Sequence, residues 1–230
     1  MVEDFFLKVS IMLVPGLLAI TGHELAHGYV AYRCGDPTAR ERGRLTLNPL
    51  NHIDPIGLLL LFLIGIGWAK PVPVDFSRLR NPRIHGILVS ISGPLANLIL
   101  ALIASLLLYP LIRFHAIDRL PGVAIPLSLM LTFAIYINLL LAIFNMIPIP
   151  PLDGGRVLAG ILPEPVSTHF NRLDRFGLLI VMLIFIFSPS FFSRIVSPPL
   201  SAGVSILVDP SFLFRLRQIP VVDHLRLFPF

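Results

Sequence analysis

The chain has 230 residues, of which 55% are hydrophobic and only 13% are charged, and its mean hydropathy is +0.84. Soluble globular domains contain about 25% charged residues, so this composition excludes a soluble enzyme and indicates a polytopic membrane protein. The net charge of +5 is also compatible with nucleic-acid binding. In a membrane protein, however, basic residues more often reflect the orientation of the chain across the membrane, so we expect no nucleic-acid partner. The single cysteine, Cys34, excludes an intramolecular disulfide and a cysteine-rich metal site.

The first predicted helix covers residues 5–32 and is long enough to cross a membrane. Its last third contains the pentad His23-Glu24-Leu25-Ala26-His27. Two histidines four residues apart project from the same face of a helix, where they can bind one metal ion. Zinc held by two imidazoles and a third protein ligand keeps one coordination position for water and lowers the pKa of that water toward about 7. Glu24 is placed to accept the proton as the water attacks a carbonyl.

The location of the pentad inside an apolar helix is a second reason to treat it as a functional site. Ionisable residues at membrane depth are costly and by default mark a site of function. The alternative is that both histidines pack inside a helix bundle and bond to backbone carbonyls, but a buried Glu24 would then need a partner of its own. The sequence therefore predicts a zinc site on the first helix.

The next apolar run, residues 56–68, is roughly 20 Å long as a helix and is too short to cross a hydrocarbon core of about 30 Å. A β-like stretch at residues 45–47 and a turn at residues 51–55 precede it, and Lys70-Pro71-Val72-Pro73-Val74-Asp75 follows it. Basic residues flank the run on both sides. We therefore expect a re-entrant hairpin with short β-like segments, and a membrane span is the alternative.

Four further apolar runs are candidates for membrane crossing. They cover residues 84–112, 123–147, 176–192 and 195–208, and Pro198-Pro199 interrupts the last one. Basic connections occur at residues 33–44 and 70–83, at Arg172 with Arg175, and in the C-terminal tail. If all of them face the cytoplasm, the N-terminus lies outside, and the fold is an all-α polytopic membrane protein with about five transmembrane helices, the hairpin and a zinc site between helices.

A catalytic zinc site of this type needs a third protein ligand, and the residues alone leave its identity open. Glu164 lies in a loop between two prolines and lacks a helical partner face. Asp153 follows a span that ends in Pro148-Ile149-Pro150-Pro151. Prolines leave backbone groups without helical hydrogen bonds, and such groups are tolerated at membrane depth only where they line a water-filled or protein-covered site. Asp153 is equally well placed to be the N-cap of a short helix at about residues 156–162.

Two widely separated motifs together resemble the site-2 protease family of intramembrane zinc metalloproteases. The pentad is similar to that family's zinc motif in a transmembrane helix, and Asn145-Met146-Ile147-Pro148-Ile149-Pro150-Pro151-Leu152-Asp153-Gly154 is similar to its second signature. The resemblance extends over Gly43-Arg44-Leu45-Thr46-Leu47-Asn48-Pro49 and Gly93-Pro94-Leu95-Ala96-Asn97, and it fades after about Phe192.

This resemblance implies that Asp153 is the third zinc ligand beside His23 and His27, that Glu24 is the general base and that the cofactor is one Zn²⁺ per chain. It makes Asn145 a candidate donor to the oxyanion or the substrate carbonyl. No PDZ-like insertion or soluble regulatory domain is expected. We expect a single membrane-embedded domain over residues 1–230, with a catalytic core at about 5–162, C-terminal spans at about 172–208 and a tail at 209–230.

The reaction implied is hydrolysis of a peptide bond in or near a transmembrane segment of another protein, in the lipid bilayer of a bacterial cell membrane, with the active site toward the cytoplasm. An extended substrate could pair with the β-like residues 45–47 or 72–74. Two rivals are a metal transporter or sensor that uses the same histidines and Asp153, and a membrane zinc protease with Glu164 as ligand. Asn97 either polarises the site or bonds another helix, and His52 either approaches the metal or substrate or bonds to backbone.

Overall fold

The computed structural model describes residues 2–57 and 69–218. In chain order its helices are α1 (Val2–Arg33), α2 (Thr38–Glu41), α3 (Pro82–Arg113), α4 (Ala116–Arg119), α5 (Pro121–Asn145), α6 (Asp153–Ile161), α7 (Val166–Asn171), α8 (Gly177–Phe187), α9 (Pro189–Leu207) and α10 (Pro210–Arg217). Short 3₁₀ turns occur at Pro49–His52, Phe76–Arg78 and Arg172–Phe176. The predicted all-α class is confirmed for the described residues.

The three long helices are apolar enough to cross a membrane. Candidate spans cover Val9–Arg33, Pro82–Arg113 and Pro121–Asn145, within α1, α3 and α5. The end of α1 follows from its sequence, because Gly35 adopts a positive φ of 114° that favours glycine and Pro37 cannot continue the helix. The prediction of a multi-pass membrane protein is confirmed.

The C-terminal part of the chain differs from the prediction of two more spans. The run at residues 176–192 forms α8, which has only 11 residues and is therefore about 17 Å long. Ser188 precedes a proline and leaves the helical region with φ −140° and ψ 64°, which ends α8. Helix α9 continues through Pro198-Pro199, and Ser193–Leu207 with Pro210–Leu216 forms a pair bent by 95°. The described residues thus contain three candidate spans, or four if the bent pair counts as one, instead of the five expected.

The predicted β-like segments form no named strand among the described residues. Residues 44–46 and 71–75 lie outside helices and ladders. An isolated antiparallel bridge joins Ile53 to Ala69, so the two flanks of the predicted hairpin lie side by side. The apolar run between them, residues 58–68, lies outside the described residues, and the re-entrant hairpin stays a prediction.

Two compact units make up the described chain, and one of them contains the pentad and Asp153. This unit comprises the described parts of residues 20–96 and 144–191. Its buried core contains Ala31, Leu79 and Val89, with Val74 and Phe76 packed against them. Residues 74–79 therefore pack against α1 and α3, close to the end of α1 that carries the pentad.

The other unit comprises the described parts of residues 1–19, 97–143 and 192–230. Polar side chains link its apolar helices, as is common in membrane bundles. The Asn97 amide of α3 donates to Asn138 Oδ1 of α5 at 2.8 Å, and Ser105 Oγ donates to the Leu207 carbonyl at 2.6 Å. The expectation of a single domain over residues 1–230 stays a prediction.

Candidate metal centre

The pentad histidines and Asp153 meet in the structure. The Nε2 atom of His23 lies 3.0 Å from Nε2 of His27 and 3.2 Å from Oδ2 of Asp153, and His27 Nε2 lies 3.3 Å from the same oxygen. His23 and Asp153 are buried, and the His27 side chain is only 12% exposed. Within residues 2–57 and 69–218, no other cluster of three histidine, cysteine or acidic side chains has metal-site spacing.

This triangle of ligand atoms has the size that zinc requires. With Zn–N and Zn–O distances of about 2.0–2.2 Å, two ligands of a tetrahedral ion lie about 3.3–3.5 Å apart, close to the 3.0–3.3 Å edges here. Asp153 Oδ2 is buried and accepts no hydrogen bond of normal geometry from the described residues. A buried carboxylate oxygen without a donor is costly unless a cation is beside it. The donor set of two imidazoles and a carboxylate therefore fits zinc.

The backbone of α3 orients the His27 ring. Its Nδ1 lies 2.7 Å from the Val89 carbonyl oxygen, and Ser92 Oγ donates to the same carbonyl at 2.6 Å. Because a carbonyl only accepts, Nδ1 carries the proton, and Nε2 presents its lone pair toward the space shared with Asp153. Hydrogen bonds of this kind fix the tautomer and direction of metal-binding histidines.

Three glycines allow the close packing around these side chains. A Cβ added at Gly93 of α3 would overlap the His27 ring and lie 2.7 Å from Cε1 of His23. A Cβ at Gly154 would lie 2.7 Å from the Ile147 carbonyl oxygen, and one at Gly155 would lie 2.6 Å from the Pro150 nitrogen. The start of α6 thus packs against the backbone of the proline-rich loop that precedes it, and only glycine fits there.

Asp153 is the first residue of α6, and the N-cap is Leu152. The interpretation of Asp153 as an N-cap is therefore wrong, because the helix begins earlier than residue 156 and the carboxylate meets the two histidines instead.

Arg83, in the first turn of α3, holds the other end of α6. Its Nε donates to the Gly160 carbonyl at 2.7 Å, and its Nη2 donates to the carbonyls of Ile161 and Leu162, each at 3.0 Å. Carbonyls that a helix end leaves unpaired are satisfied in this way.

Glu24, the second residue of the pentad, has a backbone partner. Its Oε2 accepts the N–H of Val72 at 2.8 Å. The pentad sequence gives no indication of this contact, because the donor is a main-chain amide from residues 71–75. At the far end of that segment, the hydroxyl and then the amide of Ser77 lower the pKa of the exposed Asp75 carboxyl.

The other predicted site residues are not part of the triangle. Asn145 is the last residue of α5 and is half-buried. Asn97 donates to the Ala19 carbonyl at 3.0 Å and to Asn138, so the described contacts are those of a helix-linking residue. His52 is buried with Nε2 at 3.0 Å from the Thr46 carbonyl oxygen, in agreement with the backbone-bonded alternative. Glu164 is exposed and accepts the Thr168 hydroxyl at 2.7 Å.

Comparison with known proteins adds to this geometry. The sequence profile of peptidase family M50 matches residues 116–188, which include Asp153. A Bacillus subtilis protein named "Putative zinc metalloprotease YwhC" is 40% identical over 205 residues, which cover 87% of this chain and 92% of that protein. "Putative zinc metalloprotease Rip2" of Mycolicibacterium smegmatis is 32% identical over 79% of this chain and 69% of its own length. "Zinc metalloprotease MJ0392" of Methanocaldococcus jannaschii is 26% identical over 76% of this chain and 42% of its own length. No solved structure matches the chain significantly.

The match to the Bacillus subtilis protein extends over nearly the whole of both chains. The family profile separately matches the part of the chain that contains the second motif. The chain belongs to peptidase family M50, the site-2 protease family of zinc metalloproteases.

Proposed function

We propose that this peptidase is a zinc endopeptidase that hydrolyses a peptide bond in or near a transmembrane segment of another membrane protein. The observation that carries the proposal is the triangle of ligand atoms from His23, His27 and Asp153, two of them on a helix long and apolar enough to span a membrane. The names of the relatives, which are zinc metalloproteases, support the choice of metal and reaction.

In this proposal each residue of the site has one role. His23, His27 and Asp153 hold one zinc ion, which when bound polarises the attacking water and the scissile carbonyl. Glu24 accepts a proton from the water as the water oxygen bonds to the carbonyl carbon. It returns a proton to the amide nitrogen as the C–N bond breaks. Asn145, at the end of α5, donates a hydrogen bond to the carbonyl oxygen as negative charge develops there.

A transmembrane substrate must be unwound before it reacts. Its carbonyls are otherwise occupied in hydrogen bonds four residues along the helix, and the bilayer offers no water to replace them. An extended edge on the enzyme can replace those bonds by strand addition. At residues 72–74, Pro73 has no N–H and the Val72 N–H is bonded to Glu24. We therefore favour residues 45–47 as the edge that pairs with substrate.

We propose that the site faces the cytoplasm of a bacterial cell. The relatives from Bacillus subtilis and Mycolicibacterium smegmatis, which are bacteria, support the location. The connection that follows the pentad supports the orientation, because it is rich in arginine, including Arg40, Arg42 and Arg44, and positive residues near helix ends stay on the cytoplasmic side.

Zinc content and cleavage, measured on the same purified variants, test the proposed ligands and base. Wild type and Glu24→Gln should each bind one zinc, whereas Asp153→Ala should lose it. Cleavage of a model transmembrane substrate by Glu24→Gln should fall at least about 10²-fold, because general acid–base catalysis contributes about 10²–10⁴-fold. The matched control is Glu164→Ala, which removes an exposed carboxylate outside the triangle and should keep both zinc and activity.

Two results would contradict the proposal. If Asp153→Ala retains zinc and cuts, the third ligand lies elsewhere; loss of zinc in Glu164→Ala would identify that ligand as Glu164. If wild type cuts no membrane substrate and Glu24→Gln still transports or senses the metal, the three ligands serve metal transport or sensing. Transport does not need a proton acceptor beside the ligands.

A further inference from the structure

The partner of Glu24 is the backbone of a rigid tripeptide. The Val72 N–H donates to Glu24 Oε2 at 2.8 Å, and Val72 is buried, with 7% of its surface exposed. Its neighbours, Pro71 and Pro73, have no N–H. Val72 therefore supplies the single backbone donor of the Pro71-Val72-Pro73 tripeptide, and that donor is bonded to the carboxylate beside the metal ligand His23. Proline on both sides also restricts the backbone to extended conformations.

Hydrogen bonds to the rest of the unit hold the tripeptide at its N-terminal end. The Arg44 guanidinium Nη2 donates to the Lys70 carbonyl at 2.9 Å and to the Pro71 carbonyl at 3.3 Å. The Lys70 N–H donates to the His52 carbonyl at 2.9 Å. Because one side chain binds two successive carbonyls, this end of the segment can move only if both bonds break.

A buried carboxylate holds the C-terminal end. Asp36 has no exposed surface, and its Oδ2 accepts the Asp75 N–H at 2.7 Å. Its Oδ1 accepts the Thr38 N–H at 3.0 Å and also the Thr38 hydroxyl. Asp36 lies three residues after the end of α1, so it connects the helix that carries the pentad to the segment that contacts Glu24.

Side-chain packing sets the distance between the segment and α1. A Cβ added at Gly28, the residue after His27, would lie 2.8 Å from Cγ1 of Val72. Glycine at this position lets the segment approach the helix one turn beyond Glu24. The hydrogen bond is therefore part of a packed contact with bonds at both ends, and it is not an isolated surface interaction.

We propose that the backbone N–H of Val72 positions Glu24 for proton transfer, and that Asp36 and Arg44 act as positioning residues by holding the Pro71-Val72-Pro73 tripeptide in place. This inference rests on the proposed function, in which Glu24 is the general base. A carboxylate with one oxygen fixed by a rigid donor loses less rotational freedom when the reaction begins, so the contact acts on proton transfer and not on substrate binding. A loss of the donor should lower kcat and leave KM and zinc content unchanged.

Val72→Pro tests the donor itself, since it removes the N–H and keeps the extended backbone that the neighbouring prolines favour. Val72→Ala is the matched variant, because it shortens the side chain and keeps the N–H. We expect kcat of Val72→Pro to be at least about 10-fold below that of Val72→Ala, with equal zinc stoichiometry and KM within about 2-fold. Equal or higher kcat in Val72→Pro would overturn the inference, as would a fall in zinc content that parallels the fall in kcat.

Asp36→Asn provides a second test that does not alter the segment and decides the matter if Val72→Pro fails to fold. The amide keeps the size of the carboxylate but must turn an NH₂ group toward either the Asp75 N–H or the Thr38 N–H, so one bond becomes a contact between two donors. The matched variant is Thr38→Val, which removes only the hydroxyl contact to Asp36. Asp36→Asn should lower kcat several-fold relative to Thr38→Val with zinc retained, and equal kcat in the two variants would overturn the inference.

Wild type and Glu24→Gln are measured alongside these variants. If Glu24→Gln cuts as well as wild type, the proposed function fails. If Glu24→Gln is inactive while Val72→Pro and Asp36→Asn match their controls, only the positioning role fails.

Discussion

Gly93 of α3 lies against both histidines of the pentad, and a Cβ at this position would overlap the His27 ring. The ring cannot simply turn away, because its Nδ1 is bonded to the Val89 carbonyl four residues earlier on the same helix. A side chain larger than hydrogen at Gly93 must therefore displace either the ligand or the helix. Overpacking of this kind costs about 1–3 kcal/mol in protein interiors.

Gly93→Ala should therefore weaken zinc binding by roughly 10–100-fold, the range seen when groups that orient metal ligands are altered. The matched control is Gly86→Ala in the same helix, where the added Cβ would meet Phe76 Cδ1 at an ordinary 3.4 Å. Alanine in a helix interior is favoured over glycine by about 0.5–1 kcal/mol, so the control should be neutral or slightly stabilising. Zinc affinity from competition with a chelator, together with the melting temperature, checks both variants. Equal zinc affinity in the two variants would contradict the steric account.

The contrast between the ligands and their supports shows what a sequence can reveal at this scale. His23, Glu24 and His27 are predictable because their spacing on one helix is local, and Asp153 is predictable only through the second motif. Val89 and Val72 act through backbone atoms, which every residue has, so their roles have no sequence signature. Gly93 belongs to a stretch covered by the family resemblance, but only the structure shows that the His27 ring, from 66 residues earlier in the chain, lies where a Cβ would be.

At the scale of elements, the position of α6 determines the position of the third ligand, Asp153. Asp153 is its first residue, and Arg83 of α3 binds the carbonyls of Gly160, Ile161 and Leu162 at its other end. A Cβ at Gly160 would lie 2.5 Å from Ile87 Cγ1, so α6 also packs closely on α3. A helix of 9 residues is not stable by itself, and its position depends on contacts such as these.

Arg83→Lys should destabilise the protein by about 1–2 kcal/mol and weaken zinc binding, because lysine keeps the charge but cannot bind three carbonyls through a planar fork. Arg80→Lys is the matched control, since it makes the same chemical change three residues away at an exposed side chain. The melting temperature and the zinc affinity of both variants, measured in the same detergent, check this prediction. If the two variants behave alike, Arg83 does not hold α6 in position.

Element boundaries followed from the sequence wherever one physical signal dominated. The bounds of the three long apolar runs agree with those of α1, α3 and α5 to within a few residues. A membrane-length apolar segment forms a helix because its backbone groups must otherwise stay unbonded in the bilayer. Prolines gave the wrong boundaries near the C-terminus. Pro198-Pro199 was expected to interrupt a helix and lies within α9, whereas the break falls at Ser188-Pro189 inside a run predicted to be continuous. A proline ends a helix only when its neighbours do not satisfy the backbone it frees, and those neighbours are tertiary.

At the scale of the whole molecule, one ion pair bears on the membrane topology. The Arg215 guanidinium of α10 donates to both carboxylate oxygens of Asp118, at 3.0 and 3.1 Å, in the connection between α3 and α5. Both side chains are about half exposed, so the pair contributes little to stability and serves here as a geometric marker. The start of the tail therefore lies at the α3–α5 connection.

From this contact we expect four spans, and the number of spans stays a prediction. If α1, α3 and α5 each cross the membrane and the predicted hairpin does not, a fourth crossing after α5 returns the chain to the side of the α3–α5 connection, whereas a fifth would return the tail to the side of residues 33–44. The expectation of five spans placed the tail arginines with the other basic connections. An arginine whose charge is paired, as Arg215 is with Asp118, is weak evidence for that assignment.

Single-cysteine variants in a Cys34→Ser background decide between the two arrangements. Arg119→Cys marks the α3–α5 connection, Ser211→Cys marks the start of α10, and Arg42→Cys marks the segment after α1; all three residues are exposed. In sealed vesicles of known orientation, a membrane-impermeant maleimide should label Arg119→Cys and Ser211→Cys from the same face and Arg42→Cys from the opposite face. Labelling of Ser211→Cys and Arg42→Cys from the same face would contradict four crossings and support five. In the expected result, the pentad end of α1 and the start of the tail face opposite sides of the membrane, so a soluble partner that binds the tail cannot also reach the segment that contacts Glu24.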